Sequence, residues 1–323
     1  MKKILFEKTG KPADILQVVE TEITEPQANE VRIRVKASPI NPSDVMFVQG
    51  LYGLKPVLPS GAGFEGSGII DKVGEGVNLA VGIKVSFMGT GAWAEYVCVP
   101  QQAVISLPDE ITFEVAAQTF VNPFTAWAML HESGLQAGDW LLLTAGGSAF
   151  AQLVIQLAAA KGIKVICTVR RDVQKEQLLA LGATAVINTT EDFLPKKVKQ
   201  LTEGKFATAC FDATGGELGK LALQSLADNA TMWVYGLLSL EETPVHNGLM
   251  LFKNLTIKGF WLSTWIVKAP KDVRKQAAID VINLLASKKL EIKVDAIYAL
   301  QDCIKAVAHS ESEGRTGKIL LVM

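Results

Sequence analysis

Histidine and cysteine are scarce: three and four among 323 residues. Cys98, Cys167, Cys210 and Cys303 are scattered, with no CxxC pair. Neither a disulfide framework nor a zinc cluster is expected, and a reducing compartment fits. A surplus of one charge is also missing. The 32 basic and 33 acidic residues leave a formal net charge of -1. No basic excess exists to draw nucleic acid or an anionic membrane, so any charged site must be local. Long hydrophobic runs are absent as well. The most apolar stretch, Trp140 to Ala160, is interrupted by Gly146, Gly147, Ser148, Gln152 and Gln156. It falls short of the roughly 20 apolar residues of a membrane span. Behind Lys2 and Lys3 the apolar run is cut by Glu7 and Lys8, so no signal peptide is predicted and a cytoplasmic protein is expected.

What the chain does have is material for a core. It is 49% hydrophobic and only 20% charged, which excludes a disordered chain. Its length suits about two domains. The texture changes along it. Up to about Thr119 the apolar segments are short. Val31 to Val35 alternates like a half-buried strand, Gly68-Ile69-Ile70 reads as another, and Trp93 to Pro100 alternates again. Gly61, Gly63, Gly66, Gly68, Gly74 and Gly76 punctuate them. A compact β domain is predicted.

From about Asp139 strands and helices alternate. Trp140 to Thr144 is a continuous apolar run, as for a strand covered on both faces. Strands are predicted at Ile163 to Val169, Thr184 to Ile187, Thr208 to Phe211, Ala230 to Tyr235 and Leu255 to Phe260. Helices are predicted at Phe150 to Lys161, Val173 to Leu181, 195–202 and 217–226. This order predicts a parallel, doubly wound α/β sheet of six strands, a Rossmann domain. A further helix, Lys271 to Ala286, is followed by strand-like segments at Tyr298 and at Lys318 to Val322, read as returning to the first domain. The expected division is 1–119, completed by 266–323, around a Rossmann domain at 120–265.

The turn after the first Rossmann strand is Ala145-Gly146-Gly147-Ser148-Ala149-Phe150-Ala151. A helix start offers unpaired N–H groups and a positive dipole end, which suit a pyrophosphate. The turn departs from GxGxxG, with alanines at 149 and 151. Taken alone it serves equally as a tight turn without ligand. The end of the second strand decides. About 20 residues after the glycine turn, NAD-binding units place an acid for the ribose 2′-hydroxyl. Here Val169-Arg170-Arg171 stands instead. Two guanidinium groups suit the 2′-phosphate of NADPH.

Asn41-Pro42-Ser43-Asp44, Gln49-Gly50-Leu51-Tyr52-Gly53, Gly63-Phe64-Glu65-Gly66 and Asn122-Pro123-Phe124-Thr125-Ala126 resemble the medium-chain dehydrogenase/reductase superfamily. The zinc-free branch of quinone oxidoreductases and 2-enoyl thioester reductases is the most similar. Val169-Arg170-Arg171-Asp172 and Gly259-Phe260-Trp261-Leu262-Ser263 pull towards the thioester reductases. The resemblance implies a GroES-like catalytic domain beside the Rossmann domain, and a homodimer. It places Asn122, Gly147, Ser148, Ala149 and Phe150 around the nicotinamide half and pyrophosphate. Arg170 and Arg171 would hold the 2′-phosphate. Tyr235, Gly236, Phe260, Trp261 and Leu262 would line the nicotinamide pocket, with Lys318 near the cofactor. Without the resemblance, Phe260 to Leu262 read as core, Lys318 as a solvated lysine and Asn122 as a turn former.

Zinc is not expected. Where zinc alcohol dehydrogenases have Gly-His-Glu, this chain has Gly63-Phe64-Glu65, and a phenyl ring cannot ligate. The region of their first cysteine ligand is Ser38-Pro39-Ile40-Asn41-Pro42, without a thiol. Reduction of an activated C=C bond is then the natural chemistry. The expected acid is Tyr52, a phenol that keeps its proton at neutral pH yet can give it to an enolate. The expectation is an NADPH-dependent, zinc-independent reductase of a small-molecule enoyl thioester. A quinone oxidoreductase is the alternative, and a non-catalytic, crystallin-like NADPH-binding protein is a further one.

Overall fold

A computed structural model describes all residues, 1–323. The chain divides into two compact units, Met1–Pro123 with Ala278–Met323, and Phe124–Ala277. No helix is long and apolar enough to cross a membrane.

The first unit is built on a seven-stranded sheet. Glu30–Pro39 is its central strand, antiparallel to Glu65–Val73 on one side and to Lys318–Val322 on the other. Val294–Ala299 lies outside Lys318–Val322, Lys84–Met88 and Val104–Ser106 continue past Glu65–Val73, and Tyr96–Pro100 also pairs with the central strand. Val31, Ile33 and Val35 alternate into the core beneath Val85, Phe87 and Ile70. The strand expected from Trp93 begins only at Tyr96. Trp93 is instead wholly buried, its indole donating to the Pro39 carbonyl at 3.2 Å.

A short helix, Pro42–Gln49, follows the central strand. Asn41 caps it, Pro42 supplies a first residue that needs no N–H partner, and Gly50 ends it in the left-handed region at φ 76°. Phe47 and Val48 bury its inner face against Ile4, Phe6, Trp93 and Leu321.

The second unit carries six parallel strands: Trp140–Leu143, Lys164–Val169, Ala185–Asn188, Ala207–Asp212, Leu226–Val234 and Thr256–Gly259. Numbered in that order they lie as 3-2-1-4-5-6, the doubly wound arrangement. Leu141, Leu142 and Leu143 are completely buried in the first strand, each contributing about 1.5–3 kcal/mol of burial. The fifth strand starts at Leu226, earlier than the expected Ala230. Its register against the fourth strand shifts between Ala207 and Ala209, and Asn229 takes φ 62°. Asp228 and Asn229 are exposed there, which hides the strand's first half from an apolar pattern.

Candidate functional site

The glycine turn of the second unit is tight because the next strand lies against it. A Cβ on Gly146 would stand 2.8 Å from the Cys167 Cβ and 3.0 Å from the Thr168 carbonyl oxygen. Gly146 N–H donates to that carbonyl at 2.8 Å, and Ala145 before it takes φ 50°. A Cβ on Gly147 would run into the Gln174 carboxamide, the far end of a flexible side chain. Gln152 Nε2 donates to the Gly147 carbonyl at 3.1 Å and its Oε1 accepts from Gln177 at 3.3 Å. These glutamines frame the turn, and the sequence patterns gave no sign of them.

The helix Ala149–Ala160 starts there, with Ser148 as N-cap accepting from Ala151 N–H at 3.1 Å. The alanine methyl at 151 is wholly buried in the packing. Phe150 is buried beside Tyr235, ring centroids 4.2 Å apart. Burial pushes the Tyr235 phenol well above its usual range, the Asp212 and Cys210 charges add to this, and a hydrogen bond with Ser148 pulls it back. Four expected residues are therefore gathered: Ser148, Ala149, Phe150 and Tyr235. Gly236 follows, where a Cβ would stand 2.8 Å from the Ala213 carbonyl oxygen. Under it, Asp212 is completely buried and accepts from Thr144 Oγ1 at 2.6 Å and from the Thr214 and Gly215 N–H groups at 3.0 Å each.

Arg170 and Arg171 are exposed just past the second strand. The neighbouring Asp172 pairs with Lys175 at 2.8 Å and accepts from Asn188 Nδ2 at 2.8 Å, and both hold its carboxyl below the usual range. Phe260 N–H donates to the Val234 carbonyl at 2.8 Å as the sixth strand ends. Trp261 is exposed and caps the helix Leu262–Lys268, whose Leu262 is buried.

Tyr52, Asn122 and Lys318 belong to the first unit. Tyr52 follows Gly50; its N–H and that of Leu51 donate to the Met46 carbonyl at 3.2 and 2.8 Å. Its half-buried ring packs on Phe64, centroids 5.4 Å apart. Asn122 is the second residue of the helix Val121–Ser133.

Lys318 is buried, not solvated, and donates to Asn41 Oδ1. Asn41 Nδ2 donates to Glu65 Oε1 at 2.8 Å, and Val121 N–H donates to Glu65 Oε2 at 2.8 Å. Asn41 N–H donates to Asp44 Oδ2 at 2.7 Å, one arm of a capping box, while Asp44 Oδ1 has no partner. Burial pushes the Asp44 carboxyl up to about 7, Glu65 adds to this, and the Asn41 N–H and Lys318 oppose it. Burial also raises Glu65 and lowers Lys318 to about 8, although the two carboxylates pull the lysine back. The sequence patterns revealed this cluster only as separate motif letters.

Zinc donors are not assembled. No group of three or more His, Cys, Asp and Glu side chains is placed to hold a metal ion. Phe64 packs between Phe47 and Tyr52, His246 caps a helix, and His309 lies against Tyr298. The residues do not fit a metal centre. The chemistry suits a dinucleotide: Gly146 leaves no room for a side chain against the next strand, a helix starts just after the turn, and guanidinium groups end that strand.

A 3-2-1-4-5-6 parallel sheet with this turn defines a dinucleotide-binding protein, here joined to a β-rich unit. Residues 150–282 match the zinc-binding dehydrogenase family and residues 27–109 the alcohol dehydrogenase GroES-like domain. The chain is 31% identical to the mitochondrial enoyl-[acyl-carrier-protein] reductase of Rattus norvegicus and 32% identical to that of Homo sapiens. Each comparison covers 100% of this chain and 89% of the relative. The structure of Escherichia coli quinone oxidoreductase complexed with NADPH superposes with a TM-score of 0.93 at 30% identity, covering 100% of both chains. The chain belongs to the zinc-free branch of the medium-chain dehydrogenase/reductase superfamily.

Proposed function

We propose that the chain is an NADPH-dependent, zinc-independent reductase of enoyl thioesters. The observation that carries this reading is Tyr52, a phenol held through its N–H to Met46 and through its ring to Phe64. Full-length similarity to enoyl-[acyl-carrier-protein] reductases supports it.

NADPH, when bound, supplies the hydride that goes to the β carbon of a C=C bond conjugated to a carbonyl. Gly146, Gly147 and the N–H groups beginning the 149–160 helix would receive the pyrophosphate. Arg170 and Arg171 would fork onto the 2′-phosphate. Phe150, Tyr235, Gly236, Phe260, Trp261 and Leu262 would line the nicotinamide pocket, and the family resemblance assigns Asn122 to the same half of the cofactor. Tyr52 gives its hydroxyl proton to the α carbon as the enolate collapses, so the C=C bond ends as CH–CH. Phe64, in place of an imidazole, keeps that region apolar.

The second reading is a quinone oxidoreductase, favoured by the similarity to the Escherichia coli enzyme. A panel of crotonyl and longer enoyl thioesters against several quinones, with NADPH consumption followed, separates the two. Turnover of thioesters is expected. Turnover of quinones alone removes the thioester reading.

A further inference from the structure

We infer that Glu65, together with Asn41 and Lys318, is a positioning residue that fixes Tyr52 through two separate supports. The inference rests on the reading of Tyr52 as the proton donor.

The backbone support is the 42–49 helix. Its first turn is set by Asn41, and its last turn holds Tyr52 through the Met46 carbonyl. Two turns of helix transmit position, because their backbone hydrogen bonds tie the first turn to the last. The ring support is Phe64, whose ring lies 5.4 Å from Tyr52 and 4.9 Å from Phe47 of the same helix. The two supports converge on one carboxylate. Phe64 directly precedes Glu65, and Glu65 Oε1 accepts from the Asn41 side chain at 2.8 Å.

The node leaves little freedom. Lys318 takes Asn41 Oδ1 and Glu65 takes Asn41 Nδ2, so the carboxamide is held at both ends and its orientation is fixed. Val121 N–H takes the other Glu65 oxygen at 2.8 Å. Glu65 thus receives donors on both oxygens, from two different segments. An ionised carboxylate offers acceptors on both sides. A carboxamide turns one acceptor into a donor and sets it against an N–H, leaving two buried donors face to face. Buried ion clusters of this kind are poor stabilisers, since desolvation offsets their attraction. What the geometry supplies is a fixed position for the 42–49 helix relative to Phe64.

The test uses Glu65→Gln and Asn41→Ser in the full chain. Serine keeps a good helix cap but reaches neither Lys318 nor Glu65. Protein labelled with 3-fluorotyrosine carries four fluorine signals, one for each tyrosine. Tyr52→Phe identifies the signal of Tyr52. In both variants that signal should move while those of Tyr96 and Tyr235 stay. Thioester turnover should fall about tenfold or more, with NADPH affinity held within about threefold. In the Tyr52→Phe background the same substitutions should lower turnover less than about twofold, because the group they position is gone. An unmoved Tyr52 signal in a folded variant overturns the inference. So does a fall in turnover that persists at full size without the Tyr52 hydroxyl. If the wild type reduces no thioester, the proposed function falls, and the fluorine signal still decides the positioning role.

Discussion

Phe64 stands against Tyr52 at a ring separation of 5.4 Å and an interplanar angle of 37°. The contact holds the phenol by its ring. Tyr52→Phe keeps the ring and removes the proton. Turnover on enoyl thioesters should fall by about 10²–10⁴-fold, as for loss of a general acid. Quinone turnover should fall far less, since water readily protonates oxygen. Steady-state rates on both substrates check this, and a wild-type thioester rate removes Tyr52 from the mechanism.

Arg170 and Arg171 follow the second strand of the Rossmann sheet, where NAD enzymes carry an acid. NADPH should bind more tightly than NADH. Arg170→Ala should weaken NADPH by about 1.5–3 kcal/mol, the worth of a charge-assisted bond to phosphate, and leave NADH nearly unchanged. Calorimetric titration measures both; equal affinities in the wild type would overturn the 2′-phosphate assignment.

The Asp44 carboxyl is pushed from 3.8 up to about 7 by burial. Its contribution to stability is complete below 3.8 and is lost as pH rises through about 7. Lys318, lowered from 10.5 to about 8, works the other way: its contribution is complete above 10.5 and lost as pH falls through 8. Near neutral pH both groups cost stability. Asp44→Asn removes the first cost, so the variant should gain on the wild type as pH rises from about 4 to 7, by up to ~1.4 kcal/mol per pH unit. Denaturant melts at several pH values measure the difference, and a constant difference across that window would contradict it.

Thr256–Gly259 ends the Rossmann sheet, and all four of its residues are exposed. Leu251 and Phe252, 74% and 82% exposed, precede it on the 247–253 helix. An open apolar edge invites a second copy. We expect a homodimer, and Ile257→Lys with Phe252→Glu should give monomers. Light scattering that finds the wild type monomeric at micromolar concentration would refute the pairing.

Zinc should be far below one per chain by elemental analysis, and activity should survive chelators. Stoichiometric zinc lost together with activity would reverse the reading of Phe64.

Much of the Rossmann half was legible because strands such as Trp140–Leu143 and Lys164–Val169 are almost wholly buried and read as unbroken apolar runs. The 42–49 helix was not read, although Asn41, Pro42 and Gly50 are its start and stop signals. Two turns among glycines and short strands give too little periodicity to stand out. The Val121–Ser133 helix was hidden similarly, because Asn122 ahead of Pro123 reads by default as a turn former. Arg170 and Arg171 were legible because their position relative to the glycine turn is local. Glu65, Asn41 and Lys318 were not, because no pattern along a chain links residues brought together only by folding.

Lys318 is made 277 residues after Asn41. At about 5–20 residues per second, a ribosome takes roughly 15–55 seconds to travel between them. Through that interval the strand beside Glu30–Pro39 is missing, and Asp44 and Glu65 have no cation to bury against. The 124–277 unit is continuous in the chain, whereas the sheet of the other unit gains its Lys318–Val322 strand only once the chain has been made that far.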